Sequence, residues 1–339
     1  MEANSRALNW IAILAVVVLA LLPQFADRYV IQLFTKIMIM AIFAMSLGLL
    51  VSGAGLISLG HAAYFALGAY GLVLLSPAGA GASLWLTLPL AIGGAGLVAL
   101  VLGALAVRTS GIYFIMLTLA FGQMLFYLFH DGKFAGGSDG RYMDVRPVVE
   151  ALGRELISLA DRPTLFYVAL AAMVLVYLFI GMVMRAPFGQ VLLGIRVNEA
   201  RMRSLGFNTY LYKLMAFVLA GAIAGFAGYL YATQYRVVNP ALFGWRESGI
   251  VLMMVILGGL RYRLGPIIGA FALVLLEEAL QSVTEYWLLG VGIFVIVVVL
   301  LLPDGLTGLL VRRKQPAAEP EPGPEPTESA IRSDAPRDG

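Results

Sequence analysis

"GQVLLGIRVNEARMRSLGFNTYLYKL", Gly189 to Leu214, decides how this chain is organised. Arg196, Arg201, Arg203 and Lys213, with Arg185 just upstream, stand against a single acid, Glu199. Apolar stretches long enough to cross a bilayer flank it on both sides. Basic residues collect in short loops on the cytoplasmic side of membrane spans. The stretch therefore reads as a cytoplasmic loop, and the chain as an all-α polytopic membrane protein.

The loop carries its own helix signals. Asn198 is a good N-cap, Glu199 an acid for the first turn, and Gly206 a residue that ends helices. About two helical turns fit between them. Ala200 shares a face with Arg203, and Met202 with Leu205, at three-residue spacing. An ordinary basic loop explains the arginines. It does not explain why cap, apolar ridge and stop fall in register.

Composition agrees with a membrane chain. Of 339 residues, 60% are hydrophobic and 13% charged, whereas a soluble domain carries about 25% charge. Mean hydropathy is +0.89. Ten apolar segments are legible, near 8–23, 31–51, 60–76, 84–107, 111–130, 164–184, 214–233, 248–260, 265–283 and 286–303. A span needs roughly 20 residues. The eighth is short and ends in "LGGL", so it reads as broken or tilted. The first segment leaves through "LLPQFADRY", without an A-x-A-like cleavage site, and reads as a span rather than a cleaved leader.

Alternation from the 185–213 loop places Arg6, Arg108, "RYR" (Arg261 to Arg263) and "RRK" (Arg312 to Lys314) on the same, inner side. The loop 131–162 falls outside, with five basic and six acidic residues. Ten spans with both termini cytoplasmic fit every basic cluster. The expected organisation is an N-terminal span and turn over 1–30, a core over 31–311, and a tail over 312–339. The tail is rich in Pro and Glu and cannot bury enough apolar surface to order itself, so disorder is expected. In the external loop, "RPVVEALGRELISLA" places Val148, Leu152, Leu156 and Leu159 at helical spacing and predicts an amphipathic helix, either at the outer interface or packed on the bundle.

The net charge of +3 reflects these inner loops, and nucleic acid is not an expected partner; membrane lipid is. There is no cysteine, and the two histidines, His61 and His130, lie far apart, so no metal site is expected. No H-E-x-x-H, G-x-S-x-G or P-loop pattern occurs. No catalytic residue and no resident cofactor are expected. Lys36, Glu277, Glu278 and Glu285 all lie near outer helix ends, so no proton relay is visible.

Three further stretches draw notice. "GLISLGHAAYFALGAYGLVLL", Gly55 to Leu75, repeats glycine at 55, 60, 68 and 71, with Ser58 and His61 near the membrane edge. Small residues permit close helix packing or a break that lines a cavity. Ser58, Gly60, His61 and Phe65 are candidates for a translocation path. So are Tyr113 and Thr118 in the aromatic span that begins at Ser110. That span exits into "GGSDG", where Gly136, Gly137, Ser138 and Asp139 form a flexible external turn suited to an entrance. Gly-Gly at 258–259 and Gly265-Pro266 punctuate a hairpin with a basic inner turn.

Five collinear blocks now acquire a common meaning: "GLISLGHAAYFALGAY", "GIYFIMLTLAFGQM" with "GGSDG", "GQVLLGIRVNEARMRSLGFN", "KLMAFVLAGAIAGFAGYLYA" and "MVILGGL" followed by "GPIIGA". Together, over about residues 40–311, the chain resembles the LivM-type permeases of branched-chain amino acid ABC importers. The resemblance implies a type II-like importer permease in a bacterial inner membrane. It implies a second, LivH-like permease, two ATPase subunits that bind ATP and Mg, and a periplasmic binding protein. It makes "RVNEARMRSLG" a coupling helix that docks on the ATPase, a role carried onto Arg196, Asn198, Glu199, Ala200, Leu205 and Gly206. Against the general importer loop, Gly206 follows Glu199 by seven residues rather than six, and Arg201 replaces an alanine. Arg261 stands where the family usually shows a further glycine. Related permeases serve urea, short amides or aromatic acids. An ion-driven secondary transporter is the alternative of a different class.

Overall fold

The computed structural model describes residues 2–76, 83–143, 145–151, 154–158, 161–302 and 304–310. The 312–339 tail lies outside them. Each apolar segment forms a helix: α1 (Glu2–Phe25), α2 (Arg28–Gly48), α3 (Ala62–Leu75), α4 (Leu84–Ala106), α5 (Ile112–Asp131) and α6 (Arg162–Arg185). The basic loop holds two short helices, α7 (Pro187–Val197) and α8 (Glu199–Ser204). The chain then continues through α9 (Thr209–Tyr235), α10 (Trp245–Gly258), α11 (Gly265–Gln281), α12 (Trp287–Leu301) and the short α13 (Leu306–Leu310).

Among the described residues, five helical stretches are long and apolar enough to cross a membrane: Arg28–Ala54, Leu84–Ala106, Ile112–Asp131, Arg162–Arg185 and Thr209–Tyr235. α3 and α10 have 14 residues each, about 21 Å at 1.5 Å per residue, shorter than a bilayer core of about 30 Å. The short eighth segment expected from sequence is therefore present as α10. A 3-10 turn, Pro240–Phe243, precedes it.

α2 is the central helix. Every residue from Ile37 to Val51 is buried, because apolar side chains surround it on all faces. It ends in a π-helical turn, Leu49–Ala54, closed by Gly55 with φ 71°. α3, α6, α9, α10 and α11 pack around it. α3 crosses α9 at glycine: a Cβ on Gly68 would strike the Gly225 carbonyl, and one on Gly228 the Phe65 carbonyl. Small residues bring two backbones together in this way where no hydrophobic force separates protein from lipid. The outward faces of α4, α6 and α12 stay apolar and exposed, as at Leu97, Val101, Leu175, Leu178, Ile293 and Leu300. Such faces suit a lipid or protein surround, not water.

The external segment departs from expectation. Among the described residues of 146–158 no helix forms. β2 (Val148–Ala151) pairs antiparallel with β3 (Arg154–Ser158), with a register irregularity between Val149 and Glu150. The adjacent β-branched pair Val148 and Val149 favours extended backbone, and Gly153 weakens a helix. The helical spacing of four apolar residues did not outweigh them. Nearby, β1 (Arg141–Tyr142) pairs with β4 (Val237–Val238), tying this segment to the end of α9.

Candidate functional site

The basic loop builds outward from α7. Pro187 opens that helix, where a missing N–H costs nothing. Asn198 closes it and caps the next: its N–H donates to Gly194 O at 3.0 Å, and its Oδ1 accepts from Arg201 N at 2.9 Å. α8 is shorter than the two turns expected, six residues. Its end is a Schellman motif. Phe207 N donates to Met202 O at 3.2 Å, Gly206 N to Arg203 O at 3.0 Å, and Gly206 holds φ 89°, a conformation glycine adopts without strain.

Glu199 does not face outward. Its carboxylate accepts from Thr209 Oγ1 at 3.0 Å and Arg203 Nη2 at 3.1 Å, and pairs with Lys213 Nζ at 2.9 Å. Lys213 is buried in α9, so the pair fastens α8 to the bundle. Burial alone would raise the Glu199 pKa. The Lys213 hydrogen bond and charge, the Thr209 hydroxyl and Arg203 outweigh it and hold the carboxyl below its usual value. Arg196 makes a second tie, donating Nη1 to Ser52 O in the π-turn of α2 at 2.6 Å. Ser52 Oγ in turn donates to Leu260 O at 2.9 Å, after α10.

The outward surface is apolar with a basic edge. Met202 turns inward; its sulfur lies against Gly194 of α7. Val197 (86% exposed), Leu205 (66%) and Leu211 (50%) remain open, beside exposed Arg201 and Arg203. The Met202 and Leu205 ridge is thus split: Met202 anchors and Leu205 presents. Ala200 is exposed on the same short helix. A contiguous exposed apolar patch rimmed by charge marks an interaction surface.

The candidates around the start of α3 lie in the interior of the bundle. Ser58 and His61 are fully buried, with Phe65 and Thr118 nearly so. The 55–61 connection runs between helices: Leu59 N donates to Thr118 Oγ1 at 3.2 Å, and Ala62 N to Ser248 Oγ on α10 at 3.0 Å. Irregular backbone inside a membrane bundle persists only where protein satisfies it in this way. A Cβ on Gly60 would strike the Thr118 carbonyl. His61 shares a hydrogen bond with Ser46 Oγ at 2.8 Å and stacks on Phe43. Tyr113 does not join this group; at 73% exposed it stands on the open surface of α5.

The external turn is braced. Gly136 and Gly137 hold φ of 88° and 65°, and Ser138 Oγ donates to Asp139 Oδ1 at 3.2 Å. A Cβ on Gly140 would strike the Val238 carbonyl, and the β1–β4 pairing follows at once. Sequence reading missed α7, Lys213 as the partner of Glu199, and the convergence of Arg146, Arg162 and Arg236 outside. Only the lone acid among five bases hinted at the first pair.

The architecture is that of a multi-pass membrane protein: an apolar helical bundle with a central helix and a basic, helix-bearing loop. Among the described residues no group of His, Cys, Asp or Glu could hold a metal ion. The chain belongs to the family described as branched-chain amino acid transport system / permease component, which matches residues 29–302. It is 31% identical over 314 residues to the high-affinity branched-chain amino acid transport system permease protein LivM of Escherichia coli (strain K12), covering 87% of this chain and 74% of that protein. It is 32% identical over 307 residues to the LivM permease of Salmonella typhimurium (strain LT2), covering 84% and 71%. No solved structure matches.

Proposed function

We propose that this chain is one permease subunit of an ATP-driven importer for branched-chain or similar amino acids in a bacterial inner membrane. A second permease completes the path, a periplasmic protein delivers substrate, and two ATPase subunits hold ATP and Mg. The chain itself carries out no catalysis. Ten spans place α7, α8 and both termini in the cytoplasm, with the 131–162 segment outside. The supporting observation is α8: a rigid, capped helix whose apolar tip faces outward while its acid and its methionine bind it to the bundle.

The mechanism follows from those ties. ATP closes the ATPases and displaces α8. Glu199 and Lys213 pass the displacement to α9, and Arg196 passes it to α2 through Ser52. α9 crosses α3 at glycine without intervening side chains, so α3 and the buried 55–61 connection move with it. The substrate opening then alternates between the two faces. The test is uptake by the reconstituted importer. Leu205→Asp should lower ATP-driven leucine uptake by about tenfold or more, because a charge in a buried docking surface costs more than 1.4 kcal/mol. Unchanged, fully coupled uptake would sink the docking assignment.

A further inference from the structure

Under the external segment, between the outer ends of α2, α6 and α9, lies a cavity of about 180 Å³. Arg146, Arg162, Arg236 and Gln234 line it together with the neutral polar residues Gln32, Thr35 and Tyr235, and Ile31 and Leu165 form an apolar wall. None of the described residues that line it is acidic. Three arginines gathered at the outer end run against the inward bias of basic residues in membrane proteins. Their proximity is felt: burial, then the charges of Arg236 and Arg162, lower the Arg146 pKa.

Each arginine is held differently. Arg146 donates Nε to Thr233 O at 3.1 Å and Nη2 to Gln234 O at 3.2 Å, capping the end of α9. Arg236 sits just past that end with φ 59°, alone among the described non-glycine residues in positive φ. Such a backbone is strained, and residues of this kind cluster at ligand clamps. Arg162 opens α6 and is exposed.

The second observation is an orphaned acceptor. Gln234 is 6% exposed. Its Nε2 donates to Gln32 O at 2.8 Å, which fixes the amide orientation, since a flipped amide would set oxygen against oxygen. Its Oε1 then has no donor among the described residues. A buried acceptor left without a donor is unfavourable, since it has lost its water without replacement. The cavity thus offers positive charge for an anionic group and an acceptor for an N–H or O–H.

We propose that this cavity binds a small zwitterion. Its anionic oxygens lie between Arg162 and Arg236, its donor meets Gln234 Oε1, and a short aliphatic part lies on Ile31 and Leu165. Two sources share this chemistry: a free α-amino acid, and a phospholipid head group with phosphate and ammonium. The amino acid source rests on the transport reading above; the site itself does not.

The test uses the full chain with its partner permease in nanodiscs. Arg236→Gly removes one guanidinium while giving the left-handed backbone the residue it prefers, so folding is not at risk. Arg162→Gln removes another from an exposed position. Radiolabelled leucine binding and retention of phosphatidylethanolamine by native mass spectrometry are the readouts. Leucine binding weakened about tenfold or more in both variants supports the site with an amino acid occupant. Lipid retention lost in both, with no leucine binding in the parent, supports it with a lipid occupant. If neither leucine nor lipid depends on the arginines, the proposal is wrong. Arginine-dependent binding in nanodiscs, with no ATP-driven leucine uptake when the same permeases are reconstituted with their ATPases and binding protein in liposomes, would count against the transport reading and leave the site standing.

Discussion

Glu199 gathers Lys213, Thr209 and Arg203 on one carboxylate. That makes it a positioning residue for α8. Glu199→Gln should loosen α8 from α9 by about 1–3 kcal/mol, the range for a hydrogen bond to a charged group. A double-mutant cycle with Lys213→Met should show a favourable coupling energy; additive effects would contradict the tie. The pH dependence has a definite sign. The folded pKa of Glu199 lies below its ordinary value of 4.5. Its stabilisation is therefore complete above about pH 4.5 and is lost as pH falls through the lowered value. Amide exchange over 199–206, corrected for intrinsic rates, should show unchanged protection from pH 7 to pH 5 and loss only below that. Asn198, Glu199 and Gly206 could be read from sequence because caps and stops act within a few residues. Lys213 could not be assigned, because its role arises only when α9 folds back beside α8.

Helices were legible for the same reason that composition was: an apolar run with no polar face has few other solutions in a membrane. The β2–β3 hairpin was not, because apolar spacing such as that of Val148 and Leu156 does not by itself separate a helix from two short strands. The break before α3 was legible as the gap between the 31–51 and 60–76 segments, but not its path between Thr118 and Ser248, which lie far away in sequence. At this scale glycine substitutions should separate two roles. Gly228→Ala pushes a Cβ into the Phe65 carbonyl and should destabilise by about 1–3 kcal/mol as overpacking. Gly93→Ala on α4 meets nothing within 4 Å and should stabilise the helix by about 0.5–1 kcal/mol. Thermal unfolding in detergent should move in opposite directions for the two. The same direction for both would remove the close α3–α9 crossing as its cause.

The whole molecule makes a topological prediction that its composition renders clean. The chain has no cysteine, so a single introduced thiol reports its own side of the membrane. Arg203→Cys and Ser138→Cys, both at exposed positions, should react with impermeant maleimide from opposite faces of inverted and right-side-out vesicles. Labelling from one common face would overturn the ten-span arrangement. The expectation that the basic loop is cytoplasmic rests on its arginines. The outer trio of Arg146, Arg162 and Arg236 was not legible in sequence, because the three residues come from separate segments that meet only when α2, α6 and α9 assemble.

The inner loop is fastened at two places, Arg196 to the end of α2 and Glu199 to the start of α9. A body held at one point can spin about it. A body pinned at two resists torque, and a thrust on Leu205 must emerge as translation shared between the pins. Under the coupling proposed above, cutting either pin would leave α8 able to swivel, and a stroke from the ATPase would turn the helix instead of shifting the bundle.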